Sequence, residues 1–275
     1  MNIRFTRRLL AFSALAALSH VAYADGVAGI DQKLALQGKI TPDDAPGFPV
    51  TISQSGSYRL TGNLTVPDAA TTAIHITADD VTLDLNGFTI SGPNVCTGNP
   101  VRCTFSGSGI GVMAVAPAGV VSPANVRVMN GVVRGMGGHG IRMLGDGTSV
   151  ERVRAVSNGG PGIVVGAGQV IDSEARLSGS GAAIVGLVVR GSIAAENVFG
   201  IFVRPGGVAI GNSAYSNAAG GISVNNGVAA HNSASRNGSY GIEAVCPGTL
   251  VGNLTYQNAE NLRMNGVCTV ADTAQ

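Results

Sequence analysis

A cluster of charged residues is the first feature of the sequence that could support chemistry. Its members fall in two short segments: Glu151, Arg152 and Arg154 in the first, and Asp172, Glu174 and Arg176 in the second. If the structural repeat equals the offset between these segments, Asp172 would lie over Arg152. Glu174 would lie over Arg154 in the same way. A β-eliminating lyase needs a basic side chain and a neutralised uronate carboxylate, often through Ca²⁺ held by acids. The alternative is a pair of salt bridges worth about 0–1 kcal/mol each.

The elements that must position these residues follow a repeat of about 21 residues. A four-residue apolar segment recurs along the chain, as Gly140–Met143, Gly162–Val165, Gly200–Val203, Gly221–Val224, Gly241–Ala244 and Asn261–Met264. The longest gap contains one further, poorly matching copy around Ala183-Ile184-Val185. Each unit holds three short runs that are separated by Gly, Asn or Ser. Within each run the side chains alternate with a period of two residues, which indicates short strands and not helices. A unit this short must stack on its neighbours. The sequence therefore predicts an all-β, three-stranded parallel β-helix of about nine coils.

Two columns of asparagine support this stacking independently. Members of each column recur at the interval of the repeat: Asn212, Asn232 and Asn253, and Asn217, Asn237 and Asn258. An Asn amide both donates and accepts, so we expect hydrogen-bonded ladders worth about 0.5–1.5 kcal/mol per bond. Asn also tolerates the left-handed backbone that sharp corners require. The columns are predicted to be structural and not ligand-binding.

Four cysteines predict two disulfides if the chain is exported. Three pairings are possible. A repeat of this length places Cys268 about one coil above Cys246, within disulfide reach. Cys96 and Cys103 would then close a loop inserted at about residues 93–108. A structural metal site is disfavoured, since no C-x2-C motif or His cluster accompanies the cysteines.

The N-terminus has the features of an export signal. Arg4, Arg7 and Arg8 precede an apolar run from Leu9 to Leu18, and Ala22-Tyr23-Ala24 provides a small-x-small cleavage site. The run is shorter than the roughly 20 residues that span a bilayer. We expect residues 1–24 to be a signal peptide, residues 25–60 an N-terminal cap with the first strands, and residues 61–275 the β-helix. The protein would be periplasmic or extracellular, with no membrane insertion after cleavage.

Composition limits the possible partners. The chain of 275 residues is 45% apolar, 12% charged and 4% aromatic, with 41 glycines. Disorder needs low hydrophobicity and high net charge, and long helices tolerate few glycines. Without the leader, 14 basic and 16 acidic residues remain, a net charge of about −2. Nucleic acid is therefore not an expected partner, because phosphate binding needs a concentrated basic field.

Two segments, Gly56–Leu64 and Asp80–Ile90, resemble the opening of secreted bacterial right-handed parallel β-helix proteins of the pectin-lyase-like group. The run Thr82–Ile90 is the most specific part, and the resemblance extends over most of the chain without its leader. It implies the right-handed fold and a bacterial envelope or extracellular setting. It implies no single activity, since lyases, hydrolases, epimerases, tailspikes and non-enzymatic proteins share the fold.

Within this resemblance, Gly138-His139-Gly140 is similar to a Gly-His-Gly segment of polygalacturonases. Those enzymes also need paired aspartates and a later Arg-x-Lys. The only Asp pair of the repeat region, Asp79-Asp80, lies far upstream of His139, and no Arg-x-Lys follows. His139 is a catalytic candidate on this basis, with a corner that happens to contain histidine as the alternative.

Two functions of different classes remain open. The chain could bind a glycan or an envelope protein along its flat faces without catalysis, as sparse charge and few aromatic residues favour. Alternatively, it could be a lyase, hydrolase or epimerase of acidic polysaccharide, with the charged cluster or His139 as its centre. No cofactor is expected, and Ca²⁺ enters only under the lyase alternative.

Overall fold

The period-2 alternation produces strands that stack in parallel, each coil directly above the last. The computed structural model describes residues 26–105 and 107–275. Within them, 26 of the strands form one continuous sheet, which winds as a parallel β-solenoid through about eleven coils. The predicted β-helix is therefore confirmed. The predicted signal peptide lies outside the described residues.

Each coil presents three faces, which we name A, B and C in chain order. Face A carries β2 (Val50–Ile52), β5 (Ile74–Ile76), β10 (Val112–Ala114), β12 (Ile141–Met143), β14 (Ile163–Val165), β21 (Ile222–Asn225), β24 (Tyr240–Val245) and β27 (Glu260–Asn265). Face B carries β1 (Val27–Ile30), β3 (Gly56–Leu60), β6 (Val81–Asp84), β15 (Gln169–Ile171), β22 (Val228–Ala230), β25 (Thr249–Val251) and β28 (Thr269–Ala271). Face C carries β4 (Leu64–Thr65), β7 (Thr89–Ser91), β16 (Glu174–Arg176), β18 (Ile193–Ala195), β20 (Ser213–Tyr215), β23 (Ser233–Ser235) and β26 (Leu254–Tyr256).

Four longer strands pass from one face to the next. From face B to face C run β11 (Arg127–Arg134) and β13 (Ser149–Val156), and from face A to face B run β17 (Ala182–Arg190) and β19 (Phe199–Ile210). A separate antiparallel hairpin consists of β8 (Cys96–Thr97) and β9 (Arg102–Cys103).

The core is built from columns of like residues on like. On face A one inward column is isoleucine for six consecutive coils, from Ile141 to Ile242. On face C the inward column is alanine from Ala155 to Ala234. All of these side chains are buried. Their burial removes apolar surface from water at about 25 cal/mol per Å². The large column on one face and the small one on another let three short strands enclose a filled interior.

The two asparagine columns form buried ladders at the corners. Asn232 donates from Nδ2 to Asn253 Oδ1 at 3.0 Å, and its Oδ1 accepts from Asn212 Nδ2. The second column, Asn217, Asn237 and Asn258, repeats this pattern and extends one coil earlier to Asn197. Each amide also bonds a backbone carbonyl, so no ladder amide nitrogen is left unsatisfied.

One expectation about these asparagines is wrong in detail. The left-handed backbone of each corner belongs to the residue immediately before the ladder asparagine, as in Ser216 (φ 56°) and Arg236 (φ 54°), and not to the asparagine itself. The side-chain amide must point inward to reach the next coil, so the preceding residue turns the chain.

The N-terminal end is covered by one short helix. Helix α1 (Gln32–Gln37) begins after Asp31, whose side chain accepts from the Leu34 N–H at 2.8 Å. It buries Ala35 against the end of the core. The structure has about eleven coils where the sequence predicts about nine, because residues 25–60 already contain β1, β2 and β3, which pair in register with later strands.

Both predicted disulfides are present. Cys246 and Cys268 join consecutive coils near the C-terminal end, with their Cα atoms 5.1 Å apart. Cys96 and Cys103 close the β8–β9 hairpin, with Cα atoms 4.0 Å apart. The hairpin leans along the solenoid, since Asn99 Nδ2 donates to the Ser216 carbonyl 3.3 Å away, several coils from the hairpin's origin. Its second strand thereby forms one wall of a groove at the edge of face A.

Candidate functional site

The charged cluster predicted from the sequence lies on faces B and C as a chain of ion pairs, which we name the ionic ladder. Arg154 Nε lies 2.9 Å from Glu174 Oε2 in the register that the repeat predicts. Arg127 pairs with Glu151 and Arg176 pairs with Glu196 at short distance. Arg176 also lies 3.9 Å from the other Glu174 oxygen. Glu151, Glu174 and Glu196 are therefore each engaged by an arginine, and these are the carboxylates of the ladder.

The expected contact between Asp172 and Arg152 is absent from the described residues. Arg152 Nε donates instead to Asn130 Oδ1 at 2.8 Å, one coil earlier, and its guanidinium lies 3.8 Å from Glu151. Arg152 (φ 51°) and Asp172 (φ 47°) both occupy left-handed corners. The Arg152 side chain therefore runs toward the preceding coil and not toward the following one.

The ladder does not fit the role that the lyase hypothesis gave it. A Ca²⁺ site needs several free oxygen ligands, whereas Glu151, Glu174 and Glu196 are each paired with arginine. In residues 26–105 and 107–275, no three His, Cys, Asp or Glu side chains are grouped so that they could hold a metal ion.

His139 lies elsewhere, in an open pocket between face A and the hairpin, which we name the groove pocket. Its volume is about 670 Å³. One wall consists of hairpin residues Cys103, Thr104 and Phe105. The floor consists of glycine-rich corners from three consecutive coils, Gly137–Gly138, Gly159–Gly160 and Gly179–Ser180. None of Arg152, Arg154, Asp172, Glu174 and Arg176 lines it.

Glycine is required at the floor because both the hairpin and the neighbouring coils approach it closely. A Cβ on Gly179 would lie against the Cys103 sulfur, and one on Gly159 would collide with the Gly137 carbonyl oxygen. Asn94 fixes the base of the hairpin from its buried position: its Oδ1 accepts from the Phe105 N–H at 2.9 Å and its Nδ2 donates to the Met136 carbonyl. The shape of the pocket is thus set by the close approach of the glycine backbone and by the position of the hairpin.

Two ionisable side chains line the groove pocket, His139 and Arg142. Burial lowers the pKa of His139, and the positive charge of Arg142 lowers it further. The imidazole is therefore neutral at pH 7. Arg142 projects from the centre of β12, where its register neighbours are Met113 and Val164. Among the described residues it has no ion-pair or hydrogen-bond partner, and no carboxylate lines the pocket.

The groove pocket therefore offers a cation without a counter-charge beside a neutral imidazole that can donate or accept a hydrogen bond. A guanidinium presents a planar fork of donors that matches a carboxylate. The arrangement can bind an anionic group that enters from solvent.

Comparison with known proteins bears on the fold. No protein-family model matches the sequence, and no curated protein matches it significantly. Among solved structures, the A-module of the Azotobacter vinelandii mannuronan C-5 epimerase AlgE4 is similar with a TM-score of 0.58 and 14% identity, over 76% of this chain and 64% of the module. This chain has a parallel β-helix fold. Its match spans less than two thirds of the module's length.

Two other similar structures are more distant. The periplasmic alginate epimerase AlgG matches 91% of this chain and 83% of its own, at 10% identity and a TM-score of 0.38. The enzymatically active domain of bacteriophage CBA120 tailspike protein 2 matches 80% of this chain and 42% of its own, at 11% identity and a TM-score of 0.38.

In the part of the chain that the structure describes, no helix is long and apolar enough to cross a membrane.

The sequence analysis includes Arg142 only within the recurring segment Gly140–Met143, and it predicts neither a role for Arg142 nor the contribution of the hairpin to a site. The repeat alignment did hold a signal for Arg142. Aligning Gly140–Met143 with Gly162–Val165 places Val164 in the position of Arg142 one coil later. An outward arginine without a carboxylate in register stands apart from Arg154, which has Glu174 there. Phe105 carried no such signal, because its place depends on how the hairpin folds back.

Proposed function

We propose that this chain is an exported β-helix protein that binds an acidic glycan without chemical change, through the groove pocket. In this proposal Arg142 pairs with a carboxylate of the glycan, and His139 hydrogen-bonds a hydroxyl or the same carboxylate. The hairpin residues from Cys103 to Phe105 form the wall against which a sugar ring packs.

The observation that carries the proposal is the unpaired Arg142 in an open pocket without carboxylates. A partly buried cation next to neutral surface gains most from an incoming anion, because the charge-assisted hydrogen bonds are formed in a site with reduced water. Most other arginines on the neighbouring coils already have such partners. The lining of the pocket also comes from the corners of three consecutive coils, which suits a chain-like ligand.

Further support comes from compartment and fold. Two disulfides are favoured in an oxidising compartment such as the periplasm or the cell exterior. The similar A-module is named for mannuronan, an acidic glycan. Binding is preferred over hydrolysis because a glycoside hydrolase typically needs two carboxyl groups on either side of the bond, and the described lining of the groove pocket holds none.

Affinity electrophoresis tests the proposal directly. The protein without its leader would be run through gels containing alginate, pectate or dextran at several salt concentrations. We expect retardation by one or both acidic polymers, weakened by added salt, and none by neutral dextran. Equal mobility in all gels would overturn acidic-glycan binding.

A second function is favoured by the placement of His139 and Arg142 in the same pocket, where burial lowers the pKa of His139. A neutral imidazole can remove the proton on the carbon next to a uronate carboxylate, while an arginine stabilises the charge that develops on that carboxylate. In a lyase the glycosidic oxygen on the neighbouring carbon then leaves and takes the proton from the imidazolium, which gives an unsaturated uronate and a new hydroxyl end. In an epimerase water delivers a proton to the opposite face of the same carbon, and the imidazolium releases its own proton to solvent.

Deuterium exchange separates this activity from binding alone. Alginate and pectate would be incubated with the protein in D₂O and followed by ultraviolet absorbance and NMR. Unsaturated product or deuterium at the carbon bearing the carboxylate would establish catalysis. An unchanged polymer that nevertheless binds would leave the binding function.

A further inference from the structure

A second pocket lies on face A, and neither the ionic ladder nor the groove pocket uses it. We name it the aromatic pocket. The outward column that starts at Arg142 continues, coil by coil, through Val164, Val185, Phe202, Ser223 and Glu243. Phe202 is thus three coils beyond Arg142, or roughly 14 Å at the spacing of adjacent parallel strands. The pocket, of about 330 Å³, is lined by Phe202 and Ser223 of this column.

One side of the aromatic pocket is an exposed apolar platform. Phe199 and Phe202, both in β19, are 40% and 37% exposed. Glycines at 181, 200 and 220 line the same pocket and place no side chain beside the two rings. Leaving a phenylalanine partly exposed forgoes part of the free energy of burying it. Two such rings side by side are unusual in a chain that is only 4% aromatic. The flat, C–H-rich side of a sugar ring is the surface that such a platform complements.

The other side of the pocket is polar and held in place. Ser223 Oγ lies 3.1 Å from Glu243 Oε2, and Arg263 lies 3.7 Å from the other Glu243 oxygen. The Arg263 guanidinium also stacks 4.9 Å from the centre of the Tyr240 ring. Gly220 makes room for that ring, since a Cβ there would overlap it. A carboxylate has about four acceptor positions, so Glu243, already engaged by Ser223, Arg263 and Tyr240, keeps about one position for a hydroxyl donor from a ligand.

The charge of the pocket selects among sugars. Glu243 and Glu260 both lie against Arg263, which leaves one net negative charge at this edge. Burial raises the pKa of Tyr240 to about 12, with Glu243 contributing, so its hydroxyl stays neutral. An anionic sugar would be repelled, whereas neutral hydroxyls can donate to Glu243.

We infer that the aromatic pocket binds a neutral sugar ring, stacked on Phe199 and Phe202 with its hydroxyls on Glu243 and Ser223. The inference rests on the proposed function, because it makes the two pockets subsites for one glycan. The acidic unit lies at Arg142 and a neutral unit lies three or more coils away. The ligand class is therefore a polysaccharide that contains both acidic and neutral sugars.

A glycan array with acidic, neutral and mixed-composition glycans tests this inference. We expect the protein to favour mixed glycans. The best-binding mixed glycan would then be titrated calorimetrically against wild type, Phe202→Ala and Glu243→Gln, the second of which preserves side-chain shape. Both variants should bind it roughly tenfold more weakly, the loss expected for one well-stacked ring or one charged hydrogen bond.

Ile210→Ala is the matched control, because Ile210 lies in the same strand with a similar exposure of 38% but on face B. It should bind as wild type does. Unchanged affinity in both Phe202→Ala and Glu243→Gln would overturn the neutral subsite and leave acidic-glycan binding intact. Loss in these variants with unchanged binding by Arg142→Gln would keep the subsite and overturn the role of the groove pocket. No binding to any glycan would overturn both.

Discussion

The ionic ladder and the groove pocket each place arginines on outward positions of a coil, yet they differ in what lies one coil away. Arg154 has Glu174 in register at 2.9 Å, and the pair is a closed unit. Arg142 has Met113 and Val164 in register, and no described carboxylate reaches it. Residue types alone favour the ladder as the site of chemistry. The lack of an ion-pair partner for Arg142 among the described residues favours the groove pocket as the binding site.

This difference arises from where the repeat is regular. On faces B and C the coils between Glu151 and Glu196 differ little in length. Arginine and glutamate side chains of successive coils therefore come within reach and pair. Beside His139 lies the β8–β9 hairpin, which is inserted in the chain after β7. This hairpin forms a wall over the glycine-rich corners. A concave, unpaired site forms where the repeat is interrupted and not where it is regular.

The largest expected effect comes from removing one arginine from each region, which tests whether the two regions differ in ligand binding. Arg142→Gln should weaken binding to alginate or pectate about tenfold or more, because a charged hydrogen bond contributes about 1.5–3 kcal/mol. Arg154→Gln, the matched control, should bind as wild type does. Titration calorimetry at fixed salt measures both. Equal losses in the two variants would contradict the assignment.

Opening the hairpin should have the next largest effect. Replacing Cys96 and Cys103 together by serine frees the wall of the groove pocket, and we expect binding to weaken several-fold, because the loop must be ordered again on binding. Replacing Cys246 and Cys268 by serine serves as the control at the far end of the solenoid. That variant should loosen the last coil, as hydrogen exchange would show, without changing affinity. A reversed pattern would refute the role of the hairpin.

Acid pH should strengthen binding and weaken the fold through His139. Its pKa is lowered by burial from 6.5, so the unfolded chain binds the proton first. The stability contributed by His139 is therefore full above pH 6.5 and is lost as pH falls through the lowered pKa. Protonation adds a positive charge beside Arg142, so affinity for an anion rises over the same interval.

Comparison with His139→Gln isolates this effect. The pKa of His75, also on face A, is lowered by burial as well, so only the difference between wild type and variant reports on His139. Affinity and melting temperature would be measured across the acid range. Identical pH profiles for the two proteins would contradict the prediction.

The smallest effect is expected from the ladder itself. Arg154→Gln should lower the free energy of unfolding by no more than about 1 kcal/mol, because the Arg154 side chain is 59% exposed and solvent screens the pair. Added salt should reduce the difference from wild type. Chemical denaturation measures it, and a loss of several kcal/mol would show that the ladder is a structural centre.

The fold was largely predictable from the sequence because a solenoid converts spacing into contact. Asn232 and Asn253 are one repeat apart in sequence, and their amides bond at 3.0 Å. Cys246 and Cys268 follow the same rule. The candidate site was less accessible, since Phe105 reaches the groove pocket through a hairpin whose direction no period encodes. Phe199 and Tyr240 belong to different coils, and only the backbone path at the corners brings them to the same pocket.

Hydroxyl-radical footprinting with and without bound acidic polysaccharide tests most directly that the ligand lies in the groove of face A. The account predicts protection of Phe105 and His139 in the groove pocket, with Tyr215 and Tyr256 on face C unchanged. Protection of the face C tyrosines, with Phe105 and His139 as reactive as in the free protein, would contradict it.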